Sequence, residues 1–158
     1  MERSRKNQGV SYVPSTVESL VGTTLDPSDW FEITQGRIAT FADATDDHQW
    51  IHIDPERARK ESPFRRTIAH GYLTLSLLSV MFAQVLEVQG TSLAVNYGLN
   101  KVRFPAPVPA GSKVRLEAEI ISAEDISGGV QIVSAVTVEC SATDKPVCVA
   151  EPLFRYYR

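Results

Sequence analysis

Apolar positions along this chain change rhythm near its middle, from every third or fourth residue to every second. Trp30-Phe31-Glu32-Ile33 reads as a short first strand. Thr34 then stands where a helix N-cap belongs, and Ile38, Phe41 and Ala42 follow at helical spacing. A short helix restarts at Asp54-Pro55-Glu56-Arg57-Ala58-Arg59, with Asp54 as N-cap and Pro55 at the first position, where a missing N–H costs nothing. From Tyr72 to about Glu87, apolar residues cover nearly the whole helical circumference, which predicts a helix of about 25 Å buried on all sides. Beyond it the period is two. Ser92 to Val102 forms a strand; Val114, Leu116, Ala118 and Ile120 alternate with Arg115, Glu117 and Glu119. Ser127-Gly128-Gly129 marks a turn before Val130, Ile132, Val136, Val138 and Cys140, and Asp144-Lys145-Pro146 marks another before Val147–Ala150. Strands with one apolar face belong to an antiparallel sheet, and one buried helix beside a curved sheet predicts that the sheet wraps the helix. The fold class is α+β.

At 158 residues the chain is expected to form one domain over residues 14–158, with residues 1–13 as a flexible tail. A net charge of −3 and a pI near 5.6 give no general attraction to nucleic acid or an anionic membrane. No apolar segment follows the basic first residues, and the run from Leu73 to Leu86 is too short to span a bilayer, so a cytoplasmic protein is expected. Cys140 and Cys148 lie in strand-like segments without metal-ligand spacing, which suits buried free thiols in a reducing compartment.

Candidate chemistry concentrates in Ala44-Thr45-Asp46-Asp47-His48-Gln49-Trp50-Ile51-His52. Asp47 and His52 lie five residues apart in a polar loop, close enough to share one water, and histidine titrates near neutral pH. His48, between them, is expected to be structural or solvent-exposed. Asp43, Asp46 and Asp54 match no zinc or EF-hand spacing with the histidines, so no metal is expected.

Three segments together resemble the MaoC-like hydratases, a hot-dog-fold family that includes R-specific enoyl-CoA hydratases and nodulation protein N. They are the Asp47-to-His52 loop, Ala69-His70-Gly71, and Asn96-Tyr97-Gly98-Leu99-Asn100-Lys101-Val102-Arg103-Phe104-Pro105-Ala106-Pro107-Val108, within a likeness spanning roughly Trp30 to Glu139. The Asp-His-Gln sequence before Trp50-Ile51-His52 resembles the nodulation-protein-N branch. The resemblance implies a hot-dog fold, an edge-to-edge homodimer, and reversible hydration of trans-2-enoyl thioesters to (R)-3-hydroxyacyl thioesters. It places the catalytic pair on Asp47 and His52, with Asp47 favoured as base and the choice between them open. The family's usual glycine is replaced by Asp46, whose carboxylate either crowds Asp47 or points to solvent; aspartate tolerates a positive φ better than most residues.

On that reading Gly71 opens the long helix and offers its unpaired N–H to the thioester oxygen as an oxyanion donor. His70, Asn96 and Arg103 are candidate substrate contacts. Arg65, Arg66, Lys101 and Arg103 can meet CoA phosphates, with a solvated role equally open. No cofactor is expected: CoA or an acyl-carrier pantetheine arm arrives as part of the substrate. Two rivals remain. A thioesterase of the same fold would carry an acid on the long helix, and Tyr72 to Gln84 has none. A non-catalytic acyl-binding module would have no use for an intact Asp/His pair.

Overall fold

The computed structural model describes residues 10–12 and 19–158. Along the chain run β1 (Val10–Tyr12), β2 (Thr24–Leu25), β3 (Phe31–Ile33), α1 (Gln35–Thr45), α2 (Trp50–Ile53), α3 (Pro55–Glu61), α4 (Gly71–Ser76), α5 (Leu78–Val85), β4 (Leu86–Val88), β5 (Leu93–Arg103), β6 (Ser112–Ile126), β7 (Gly129–Cys140) and β8 (Thr143–Tyr157). The main sheet is antiparallel in the order β2-β6-β7-β8-β5, with β3 also pairing β6. Its strands lose register at Ile120/Ser122 in β6 and between Leu99 and Val102 in β5. Such irregularities bend a strand, and here they curl the sheet around the helices.

Local chemistry sets the element ends as the sequence predicts. Thr34 Oγ1 accepts from Arg37 N–H at 3.1 Å and caps α1; Asp54 Oδ1 accepts from Arg57 N–H at 2.9 Å and caps α3, with Pro55 in its first turn. On β6, Val114, Leu116, Ala118 and Ile120 are buried in the same core as Val130, Ile132, Val136 and Val138 of the neighbouring strand β7. That core is one contiguous cluster from Leu20 to Tyr156, centred on Met81 and Phe82, whose rings and thioether are fully enclosed. Each such side chain contributes about 1.5–3 kcal/mol by leaving water.

Three expectations need correcting. Within the expected tail, Val10–Tyr12 is a strand that pairs in parallel with β4; the rest of residues 1–13 lies outside the described residues. The helix is shorter and less enclosed than its composition predicts. It kinks at Leu77 and stops at Val85, where Leu86–Val88 continue as a strand with alternating burial. Leu73, Leu78, Met81, Phe82 and Val85 face the sheet, but Tyr72 is 69% exposed, and Ser76, Ser79, Val80 and Ala83 share its open stripe. A continuous apolar run does not by itself distinguish helix from strand or report which face is covered. Lastly, the turn into β8 is Ser141-Ala142, not Asp144-Lys145-Pro146. Pro146 fits within the strand because pairing with β5 ends at Arg103↔Val149, so no ladder bond needs its missing N–H on that side. Among the described residues, no helix is long and apolar enough to cross a membrane.

Candidate active site

α1 ends at Asp46, whose φ of 58° and ψ of 16° place it in the left-handed region. This is where the resemblance puts glycine, and the backbone explains why: the chain must reverse here, and aspartate is among the few side chains that accept it. The Asp46 carboxylate points to solvent. The reversal carries Asp47 over the top of a buried imidazole pair.

His52 sits on α2, one turn long, and is buried. Its Nδ1 lies 2.7 Å from the Ile68 carbonyl, which only accepts, so Nδ1 carries the proton and Nε2 is left as the lone-pair nitrogen. Its own carbonyl accepts from Gln35 Nε2 at 2.7 Å, and the Thr67 hydroxyl donates in turn to Gln35 Oε1. The strand-like segment supplying Ile68 is tied down by Ile68 N–H to Ile51 O at 3.0 Å and Ala69 N–H to Val108 O at 2.8 Å. His52 is thus fixed from three directions. Burial lowers its pKa from the usual 6.5, and neighbouring His70 pushes the same way, against the Ile68 hydrogen bond and Asp47.

His70 N-caps α4 and lies beneath this arrangement, almost wholly buried. Its ring stacks on that of His52 at 3.8 Å and packs against Phe41 at 5.1 Å. Its Nε2–H donates to the Asp47 carbonyl at 2.9 Å, and the Asp47 carboxylate comes within 3.9 Å of the same nitrogen. His70 is thus covered by His52 and holds the backbone of Asp47. Asp47 itself is 54% exposed on the solvent side.

The ligating atoms of Asp47, His52 and His70 all fall within 4.8 Å of one another. Two hydrogen bonds of about 2.8 Å through one water span such a gap. A metal ion is a poorer fit. Stacked imidazoles with planes 27° apart send their in-plane lone pairs along near-parallel paths, not to a common point.

A cavity of about 320 Å³ opens beside the pair, lined by His52, Phe64, Gly71, Thr74, Phe104 and Val147 among others. His52 and Gly71 therefore face the same space. Gly71 has no positive φ; its missing side chain matters because a Cβ would stand 2.9 Å from the ring of Phe104. That contact, and the supporting role of Gln35, carry no sequence signal beyond the Phe-Pro-Ala-Pro segment itself. The remaining candidates disperse. Asn96 lies on β5 and lines a separate cavity of about 280 Å³ with Ser79, Phe82 and Tyr156. Arg103 is exposed, its Nη1 donating to its neighbour's carbonyl at 2.7 Å. His48 is exposed as expected and pairs with Asp43 at 2.9 Å.

The chain is similar to known proteins over most of its length. The chain is 54% identical over 136 residues to 3-hydroxyacyl-thioester dehydratase Z of Mycobacterium tuberculosis, covering 85% of this chain and 89% of that one. It is 45% identical over 137 residues to nodulation protein N of Rhizobium leguminosarum bv. viciae, covering 85% and 84%. The unliganded R-hydratase PhaJ1 of Pseudomonas aeruginosa superposes with a TM-score of 0.68 at 25% identity, covering 87% of this chain and 82% of that one. The model of the MaoC like domain matches residues 16–142, which take in the Asp47–His52 loop, the Gly71 turn and the β5–Val108 segment, and the chain therefore belongs to the MaoC-like domain family.

Proposed function

We propose that this protein catalyses the reversible hydration of trans-2-enoyl thioesters to (R)-3-hydroxyacyl thioesters. One observation carries the reading: a buried His52, held in a single tautomer by Ile68, faces the same cavity as the Gly71 amide and lies within one water of Asp47. The likeness to 3-hydroxyacyl-thioester dehydratase Z supports the substrate class, and the likeness to an R-hydratase supports the stereochemical sense.

Hydration asks for three things: water must lose a proton as its oxygen attacks C3, C2 must gain a proton, and negative charge on the thioester oxygen must be held. Asp47 and His52 Nε2 grip the water from two sides. Asp47, open to solvent and acceptor-only when ionised, takes the first proton and passes it to the free Nε2 of His52, which is neutral through its lowered pKa. The imidazolium so formed gives that proton to C2 on the same face, and both groups return to their starting states. The Gly71 N–H, first in its helical run and without a partner inside it, donates to the thioester oxygen. The proposed steps are redox-neutral and draw on Asp47, His52 and Gly71; the acyl carrier belongs to the substrate. Asn96 lines the separate second cavity and is given no part in the proton chemistry.

We also infer a homodimer. β5 ends the sheet, pairs only with β8 among the described residues, and exposes Leu93, Tyr97 and Leu99 along an open edge that a second copy would close. Buried free Cys140 and Cys148, the latter pushed up to about 11 by burial, are inert thiols consistent with a reducing, cytoplasmic setting.

The test is loss of enoyl absorbance with purified protein and crotonyl-CoA, run with Asp47→Asn, His52→Gln and a free-thiol assay. Hydration lost in both variants with no thiol released supports the reading. Thiol release without hydration would replace it with thioester hydrolysis.

A further inference from the structure

His70 is only 3% exposed, and just one of its two ring nitrogens is engaged. Nε2–H donates to the Asp47 carbonyl at 2.9 Å, while Nδ1 is buried with no hydrogen-bond partner among the described residues. Because a carbonyl only accepts, the neutral ring keeps its proton on Nε2 and a bare lone pair on Nδ1. A buried polar atom without a partner costs stability. A phenyl ring would meet the same flat contacts, His52 at 3.8 Å and Phe41 at 5.1 Å, without that penalty. Packing therefore does not explain the imidazole. What separates it from a hydrocarbon ring here is one N–H, and that N–H goes to Asp47.

Asp47 is the member of the pair that needs holding. It follows the left-handed turn at Asp46, lies in the connection between α1 and α2, and is 54% exposed. His52 is already pinned by Ile68 and Gln35. Whether one water touches both groups depends on where an exposed carboxylate stands relative to a fixed imidazole. His70 meets both. Its face lies on the His52 ring with the planes 27° apart, and its edge holds the Asp47 backbone with the Asp47 carboxylate 3.9 Å from the same nitrogen. These contacts come from 23 residues away, and the next residue is Gly71, the first of α4. One dipeptide thus fixes Asp47 and presents the Gly71 amide.

We propose that His70 is a positioning residue for hydration: through its Nε2–H it holds Asp47 at a set reach from His52 Nε2 and the Gly71 amide, without touching substrate. This rests on the hydratase reading. His70 does not line the cavity that His52 and Gly71 share. In a 2-enoyl thioester, C3 and the carbonyl oxygen belong to one conjugated, planar unit. The carboxylate that activates water for C3 and the amide that holds the oxygen must therefore stand at a matched separation. A hydrogen bond from the residue preceding Gly71 ties the two together. Misplacing a reacting group by about 1 Å costs about 10²-fold in rate. Asp47 acts on the water and not on the bound thioester, so the loss falls on kcat and leaves KM in place.

The test uses His70→Phe, which keeps the flat packing and removes the N–H, and His70→Gln, whose side-chain amide restores a donor. His70→Leu repeats the first measurement with a smaller side chain. With crotonyl-CoA, His70→Phe should lower kcat about 10²-fold and leave KM within about two-fold, with a melting temperature no lower than that of wild type. His70→Gln should recover about ten-fold or more of that loss. In an Asp47→Asn background, His70→Phe should add less than about two-fold, because its effect runs through Asp47. A lower melting temperature with unchanged kcat, or a full loss that persists in Asp47→Asn, would overturn the assignment. Amide exchange read by NMR keeps the question separate from turnover: His70→Phe should speed exchange in residues 46–49 and leave the His52 Nδ1–H in place. That result supports the hold on Asp47 even if wild type does not hydrate crotonyl-CoA, an outcome that would count against the hydratase reading alone. Unchanged exchange throughout that segment would overturn the positioning role whatever the rates.

Discussion

His48 and His52 lie four residues apart, and the fold gives them opposite fates. His48 stands in solvent beside the Asp43 carboxylate, which raises its pKa above the usual 6.5. His52 is buried against a backbone carbonyl and another imidazole, and its pKa falls. A carboxylate in water favours the charged ring. A carbonyl fixes which nitrogen keeps the proton, and burial favours the neutral ring. Proximity in sequence says little about role; what each ring touches decides it.

The comparison breaks most severely at the buried member. His52→Gln and Asp47→Asn should each slow hydration by about 10²- to 10⁴-fold while the protein still unfolds cooperatively. A residual rate within ten-fold of wild type would move the proton chemistry elsewhere. A smaller loss, about ten-fold in rate with about 1–3 kcal/mol of stability, is expected for Gly71→Ala, because its methyl group meets the Phe104 ring. Pairing it with Phe104→Leu should restore stability in urea unfolding, and strict additivity of the two changes would show that the contact is unimportant.

pH sharpens the contrast next. With its folded pKa below 6.5, His52 binds its proton later in the folded than in the unfolded chain. Stability should therefore fall as pH drops through 6.5, levelling only below the folded midpoint, and the acid limb of the rate should share that midpoint. His52→Gln should flatten the stability slope; an acid limb centred above 6.5 would contradict the burial argument. His48 has the opposite sign: its contribution is complete below 6.5 and fades as pH rises through its raised folded value. Because that pair is exposed, His48→Gln should leave the rate within about two-fold of wild type, read in the same absorbance assay.

Much of this was legible in the residues. Thr34 and Asp54 cap their helices as local chemistry dictates, and the alternation from Val114 to Ile120 faces one way into the core. The Asp47–His52 pair and Gly71 do converge. Other features depend on distant backbone. The Ile68 carbonyl that sets the tautomer of His52 is sixteen residues away, and any residue type would supply it. Gln35 supports His52 from the first turn of α1 with no local mark of that duty. Val10–Tyr12 becomes a strand only because β4 lies alongside it. The open stripe of the central helix has no mark in composition: Tyr72 and Val80 are apolar yet stand largely in water, although Tyr72 meets Phe104 edge-on.

The free edge of β5 has a consequence for how the protein must be made. Among the described residues one side of this eleven-residue strand has no partner and Leu93, Tyr97 and Leu99 stand in water, and on the proposed homodimer a second copy would close it. Any other open strand competes for that edge, so dilution or slow synthesis exposes it longest. Association would act as this chain's own protection against misassembly, and its melting temperature would rise with protein concentration.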